Sequence, residues 1–378
     1  MDKNVILAVA GAGKTYHICR HLNPNKRNLI LAFTNENIYN IKRELINIHG
    51  KIPEQTKVTT FHSFVYHNFI LPYELSIASH FSCPTFSSKG ITTLSPPTKN
   101  IKTSNSCYTT NPSYIDKKKI GHYITSNNQY YCDTLSELAL QIKGNKSLGT
   151  VPLVKRAILR LIKFFDIIYV DEFQDFRQHN YDLLLRIAKS FPNIYLVGDY
   201  FQHSVSGRNN YGKPFKENTT YSSFIEELDG NKFTVDQLSL LKSRRCSSEV
   251  CDFVRNKLGI DIFSAGINKG KIIWVTKNFE EILRDDNIVK LVYSNSKIYR
   301  FRSMNWSYSK GSTFNSVCLI LTKKLENLDN DSFSPEILGK SSLNKLYVAL
   351  TRSSGDLYLL KSSDFSKYRK NFLRSNFS

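Results

Sequence analysis

The sequence predicts an α/β protein built from two parallel-sheet halves, and three observations carry that prediction. Short apolar runs alternate with helix-patterned segments along most of the chain, an order that builds parallel sheets covered by helices on both faces. A glycine-containing loop, Ala8-Val9-Ala10-Gly11-Ala12-Gly13-Lys14-Thr15, follows the run Val5-Ile6-Leu7. A pair of acids, Asp171-Glu172, follows the run Asp166-Ile-Ile-Tyr-Val170, at the carboxyl end of a strand, where open α/β sheets bind ligands.

Taken in order, Tyr16 to Leu22 reads as a short helix stopped by Asn23-Pro24, and Asn28 to Phe33 as the next buried strand. A second helix carries Ile38, Ile41, Leu45 and Ile48 on one face and ends at Gly50, before a short strand from Lys57 to Thr60. From Ser76 to Tyr130 the composition turns to Ser, Thr, Asn and Pro, with six lysines and one acid, Asp116. Such a stretch supplies little core and reads either as a flexible basic insertion or as a small, loosely packed subdomain. The α/β pattern resumes with a helix around Val151 to Phe164, a strand from Asp166 to Val170, a helix to Ser190 and a strand from Asn193 to Val197. Further strands are predicted at Lys271 to Val275, Ile288 to Tyr293, Val317 to Thr322 and Asp356 to Leu360.

The chemistry of the loop is that of phosphate binding. A buried strand turning through glycines into a helix aims backbone N–H groups at one spot, which suits phosphate oxygens. Ala10, Gly11, Ala12 and Gly13 would form that cradle, Lys14 would reach the β/γ-phosphates, and the Thr15 hydroxyl would ligate Mg²⁺. The strict pattern has Gly where this chain has Ala8. A secretory-leader reading of Lys3 and the run after it fails, because the run is too short and Asp2 carries the wrong charge. Asp171 is placed to hold Mg²⁺, and Glu172 to orient and deprotonate a water.

With 378 residues, 41% of them hydrophobic and 12% aromatic, the chain has the composition of a globular protein of two or three domains. Its 52 basic and 32 acidic residues leave a net charge of +20, which points to a polyanionic partner, nucleic acid before an anionic membrane. No uncharged apolar stretch of membrane-spanning length occurs. Seven cysteines, with no Cys-x-x-Cys pair, read as reduced thiols of a cytoplasmic protein. His80, Cys83, Cys107, His122 and Cys132 lie near one another in sequence and leave a zinc site conceivable, without the paired spacing that marks one.

A third strand end, Gly198-Asp199-Tyr200-Phe201-Gln202, completes a pattern: the chain resembles superfamily 1 helicases of the UvrD/Rep/PcrA kind. Ala-x-Ala-Gly-x-Gly-Lys-Thr is the form that family's loop takes, so Ala8 fits. Ala32-Phe33-Thr34-Asn35 is similar to the next family element, and Thr60-Phe61-His62-Ser63-Phe64 to its single-strand contact motif. Leu241-Lys-Ser-Arg-Arg245, Tyr308-Ser-Lys310-Gly-Ser-Thr-Phe314 and Tyr347-Val-Ala-Leu-Thr-Arg352 resemble the remaining motifs, in family order.

The resemblance implies two RecA-like domains, residues 1–75 with 131–207 and residues 208–378, with 76–130 as a polar insertion. It implies ATP and Mg²⁺ at the cleft between them, Gln202 sensing the γ-phosphate, and Arg245 and Arg352 stabilising charge in the transition state. Thr34, Asn35, Phe61, His62 and Lys310 would contact single-stranded nucleic acid, DNA with 3′→5′ polarity by resemblance and RNA not excluded by the residues. Phe61, His62 and Phe64 read equally as core packing. Several family residues differ. Arg244 replaces an aromatic that stacks on the base, Thr313 replaces a ribose-binding glutamate, and Gly207 stands where a base-stacking tryptophan is common. Seven residues precede Ala8, so the family's adenine-reading segment is expected to be missing; the fewer than sixty residues between Cys251 and the Lys310-Gly311 motif leave no room for the large second-domain insertion. These departures keep a second expectation open, a partner-bound regulatory NTPase with little unwinding of its own.

Overall fold

A parallel strand buried on both faces needs a continuous apolar run, and Asn28–Ala32 is such a strand, with all five residues buried. The computed structural model describes residues 2–102, 108–144, 151–203, 212–216 and 218–374. It divides into one unit of Met1–Lys3, Cys19–Asp171 and Phe176–Tyr195, and a second of Asn4–Ile18, Glu172–Asp175 and Leu196–Ser378.

In the first unit, Asn28–Ala32 pairs in parallel with Thr56–Thr60 on one side and with Ile167–Asp171 on the other. The predicted helices appear as Asn35–His49, Leu153–Leu161 and His179–Ser190. Thr34 caps Asn35–His49 by accepting a hydrogen bond from Asn37 N, and Gly50 closes it with φ of 73°, a left-handed turn that glycine adopts without a Cβ penalty. The helix buries Ile41 and Leu45, two of its four predicted apolar positions.

The polar stretch from Ser76 to Tyr130 belongs to the first unit. Ile91–Thr92 pairs with Tyr130–Tyr131, and Asn100–Lys102 with Tyr108–Thr110. Tyr123 and Tyr130 are fully buried there, and Phe81 lies 5.6 Å from Tyr123. Aromatic rings thus give this segment a small core despite its polar composition.

The second unit carries a five-stranded parallel sheet in the order Ile272–Trp274, Leu357–Leu360, Ser316–Ile320, Ile288–Val292, Ser303–Asn305. Its strands alternate between two cores. Val289, Leu291, Val317, Leu319, Leu357 and Leu359 face one cluster, which also contains Ala8, Val9 and Ala10. Ile288, Val292, Cys318, Ile320 and Leu360 face the other. The period of two along each strand sorts the side chains to opposite faces. Asp2–Leu7 and Thr234–Asp236 pair in parallel through Asn4, Val5 and Ile6. The strands Thr234–Asp236 and Ser303–Asn305 were not predicted; each is three residues long, too short to show a period.

Among the described residues, no helix is long and apolar enough to cross a membrane. No group of three or more His, Cys, Asp or Glu side chains that could hold a metal ion occurs among them, so the described members of the conceivable zinc set do not assemble. Cys107 and Gly207 lie outside the described residues.

Candidate active site

The loop between Leu7 and the helix Lys14–His21 is bent by Gly11 and Gly13, at φ of 71° and 86°. Gly11 is required on a second count. A Cβ there would lie 2.6 Å from Arg245 Cβ and 2.7 Å from Ser243 Oγ, closer than packed atoms tolerate. The loop is anchored at its start by Ala8 N donating to Gly198 O at 2.7 Å and at its middle by Arg244 N donating to Gly11 O at 2.9 Å.

Lys14, only 7% exposed, forms an ion pair with Glu172 Oε1 at 3.2 Å. Glu172 sits in the left-handed region at φ of 54°, at the turn that leaves the strand Ile167–Asp171, a conformation that costs a non-glycine residue energy and that clusters at functional sites. Its Oε2 accepts a hydrogen bond from Gln174 Nε2. Burial alone would push the Glu172 carboxyl up, but Lys14, Lys310 and Gln174 outweigh it and hold the group down at about 2. Glu172 is therefore ionised at neutral pH. Asp171 is buried at the end of its strand in the first unit, 1% exposed.

The bonded set continues through Asp199. Its backbone N donates to Gln174 Oε1 at 3.0 Å, and its Oδ2 accepts from Gln202 Nε2 at 2.8 Å and from the Tyr347 hydroxyl at 3.2 Å. Gly198 makes this approach possible, since a Cβ there would fall 2.4 Å from Gln174 Oε1. Tyr347 returns the set to the loop, its hydroxyl accepting from Ala10 N at 2.8 Å.

The two predicted arginines are held differently. Arg245 follows Ser243, whose Oγ accepts from its backbone N, and its Nη1 donates to Thr351 O at 3.1 Å. Arg352 is 1% exposed and donates to backbone carbonyls, from Nε to Val348 O at 2.8 Å and from Nη1 to Ser309 O and Ser312 O at 3.4 Å each. Burial, then the neighbouring Arg245, lowers its guanidinium to about 9. Lys310, predicted to contact nucleic acid, pairs with Asp175 Oδ1.

Arg244 lies with its guanidinium carbon 5.3 Å from the centroid of the Tyr16 ring, and Tyr16 is 39% exposed. A guanidinium over an aromatic ring is a favourable flat surface. It stands beside the phosphate loop, at the position where Arg244 replaces the family's base-stacking aromatic.

In the first unit, Thr34 and Asn35 are exposed at the start of a helix. Phe61 is fully buried, 4.6 Å from Phe176 and 6.1 Å from Phe64, so its ring belongs to the core and not to a base-stacking surface. His62 is partly buried, packs edge-on to Phe33 at 4.9 Å, and its Nε2 has no hydrogen-bond partner among the described residues. Sequence reasoning did not assign roles to Gln174, Asp175, Asp199 or Tyr347. Asp199 and Tyr347 lie within the motifs quoted above, and Gln174 and Asp175 follow the Asp171-Glu172 pair by two and three residues; those offsets are the available signal.

A family model described as the viral superfamily 1 RNA helicase core domain matches residues 128–361, and a second, described as an AAA domain, matches residues 2–208. No curated protein matches the chain. Among solved structures, the PRRSV helicase is 14% identical, with a TM-score of 0.44, over 98% of this chain and 54% of that one. An arterivirus nonstructural protein 10 helicase, solved with DNA, is 13% identical with a TM-score of 0.44, over 94% of this chain and 60% of that one. The chain thus spans little more than half the length of these helicases.

Proposed function

This chain belongs to the superfamily 1 helicases, through the viral RNA helicase core family, and we propose that it is an NTP-driven translocase on single-stranded nucleic acid. The observation that carries this reading is the Lys14–Glu172 ion pair, which joins the phosphate-loop lysine to the acid that follows the strand Ile167–Asp171.

In this reading, ATP is the nucleotide. Gly11 and Gly13 direct backbone N–H groups at its phosphates, whereas the N–H groups of Ala10 and Ala12, expected in the same cradle, are donated to the Tyr347 hydroxyl and to Val9 O; Lys14 exchanges Glu172 for the β/γ-phosphate oxygens. The tight glycine turn, where a Cβ would strike Arg245 and Ser243, fits such a cradle. Thr15 and Asp171, a hydroxyl and a carboxylate, are hard oxygen donors that suit Mg²⁺. Magnesium neutralises phosphate charge when bound. Glu172, ionised and released from Lys14, orients a water and accepts its proton. Gln202, held through Asp199, senses the γ-phosphate, and Arg245 supplies positive charge to the transferring group. Arg352 would first have to leave its carbonyl partners. The Tyr16–Arg244 pair offers the base a stacking surface.

The architecture proposed is two RecA-like domains, residues 1–75 with 131–207 and residues 208–378, interrupted by the polar segment 76–130. Thr34, Asn35, His62 and Lys310 would contact the strand, and the net charge of +20 supports a polyanionic partner. The UvrD-like motifs favour DNA with 3′→5′ movement, whereas the description of the matched family favours RNA. The test is ATP turnover with and without single-stranded DNA and RNA, beside Glu172→Gln. We expect stimulation by nucleic acid, and a loss of about 100-fold or more in the variant with nucleotide binding kept. Unchanged turnover in Glu172→Gln would sink the assignment. Turnover without strand displacement from a tailed duplex would favour the regulatory alternative.

A further inference from the structure

Tyr347 lies in the helix Lys340–Leu350, five residues before Arg352, and is fully buried. Its hydroxyl has two partners. Ala10 N, in the phosphate loop, donates to it at 2.8 Å, and it donates to Asp199 Oδ2 at 3.2 Å. Asp199 Oδ2 also receives Gln202 Nε2 at 2.8 Å. One oxygen atom therefore ties the loop to the residue that holds Gln202, and does so from the helix that leads into Thr351 and Arg352.

A phenol suits this place for a physical reason. It donates one hydrogen bond and accepts another through a single atom, so it satisfies a buried N–H and a buried carboxylate together. Burial first, and then Asp199, push its pKa far above the ordinary value, so the hydroxyl keeps its proton. The ring is braced by Phe201, whose centroid is 5.9 Å away, edge-on. Thr351 O, one turn further along, receives Arg245 Nη1. Movement of this helix would thus be felt at Ala10, at Gln202 through Asp199, and at Arg245.

We propose that Tyr347 is a positioning residue for nucleotide hydrolysis, whose hydroxyl holds Ala10 of the phosphate loop and the Asp199–Gln202 pair in register with the helix that leads into Arg352. This role rests on the NTPase reading given above. It touches no substrate; it acts through the loop backbone and through Gln202. Removing the hydroxyl should leave the pocket filled and the nucleotide bound, while the groups that respond to the γ-phosphate lose their alignment.

Tyr347→Phe removes that one atom and keeps the packed ring. We expect its melting temperature to stay close to that of the wild type, its KM for ATP to stay within about twofold, and its kcat to fall about tenfold. Amide hydrogen exchange at Ala10 should accelerate, since its acceptor is gone. In a double-mutant cycle, Tyr347→Phe should add little to the loss already caused by Gln202→Ala, because both act through Asp199 Oδ2. An unchanged kcat in Tyr347→Phe, or losses that multiply in the double variant, would overturn the role. A wild-type chain with no more turnover than Lys14→Ala would overturn the NTPase reading, and the role with it; wild-type turnover with an indifferent Tyr347→Phe removes the role alone.

Discussion

Two stretches stand out by residue pattern, Ala8–Thr15 and Thr60–Phe64, and their side chains meet opposite fates. In the first, polar groups converge: Lys14 pairs with Glu172, Gly11 O receives Arg244 N, and Ala10 N reaches Tyr347. In the second, the aromatic rings turn inward. Phe61 and Phe64 are 0% and 1% exposed, and Thr60 spends its hydroxyl on capping the short helix Phe61–Val65. The difference teaches what a motif can specify. A lysine after a glycine turn has few uses in a buried setting, because burying its charge requires a partner. A phenylalanine after a strand has two, and the apolar core competes successfully for it.

The sharpest way to break this contrast is to remove the charge from the loop. Lys14→Ala should lower ATP turnover by about 1000-fold, the scale expected when a preorganised cation on the reacting phosphates is lost. The melting temperature should fall as well, since the buried Glu172 carboxylate loses its paired cation, so turnover is compared at a temperature where both proteins are folded. A variant with near-normal turnover would show that the resemblance of the loop is only one of shape.

The counterpart in the second stretch is Phe61→Ala, whose effect should appear in stability and not in chemistry. Emptying a fully buried aromatic site costs about 3–5 kcal/mol, and the loss should register as a lower denaturant midpoint. Phe61→Leu, which keeps most of the apolar volume, should bind single strands as the wild type does. A large fall in affinity with intact stability would return Phe61 to the binding surface. Lys310→Ala should act more mildly: affinity for single strands should fall at low salt, with the slope of log affinity against log salt reduced by about one. Because Lys310 also pairs with Asp175, Asp175→Asn separates the two effects. It removes the partner and leaves the lysine.

The same contrast marks how much was legible beforehand. Strands such as Asn28–Ala32 and Ile288–Val292 fell within a residue or two of their predicted ends, because each is apolar at every position but one, Asn28 and Lys290. The loop and the Asp171-Glu172 turn were legible because glycine, lysine and paired acids tolerate few substitutes. Tyr347 and Asp199 were not. Their contacts join positions 337 and 148 residues apart in sequence, and no local pattern encodes a partner at that distance. The core of the polar segment was hidden for another reason: Tyr123 and Tyr130 each bury a ring within a run of Ser, Thr and Asn, which composition averages away. Arg352 illustrates a third limit, since a motif names the residue and not the direction its side chain takes.

The smallest expected effect compares two ion pairs. Lys14–Glu172 is nearly enclosed, whereas Arg27 and Asp166 keep 43% and 32% of their side-chain surface exposed. The Asp166 carboxyl is held at about 2, chiefly by the Arg27 side chain and then by the Arg27 backbone N–H. A depressed carboxylate contributes stability that is present above its unfolded value, 3.8, and is lost as pH falls through about 2. Asp166→Asn should therefore flatten the acid limb of the stability curve between those two values. At neutral pH and physiological salt it should shift the melting temperature by less than about 3 °C, because exposed pairs are screened and contribute little. Glu172→Gln tests the enclosed pair over a similar acid window, since Glu172 is also held at about 2. A larger shift from Asp166→Asn than from Glu172→Gln would mean that hydrogen-bond geometry, rather than enclosure, sets the strength of ion pairs in this chain.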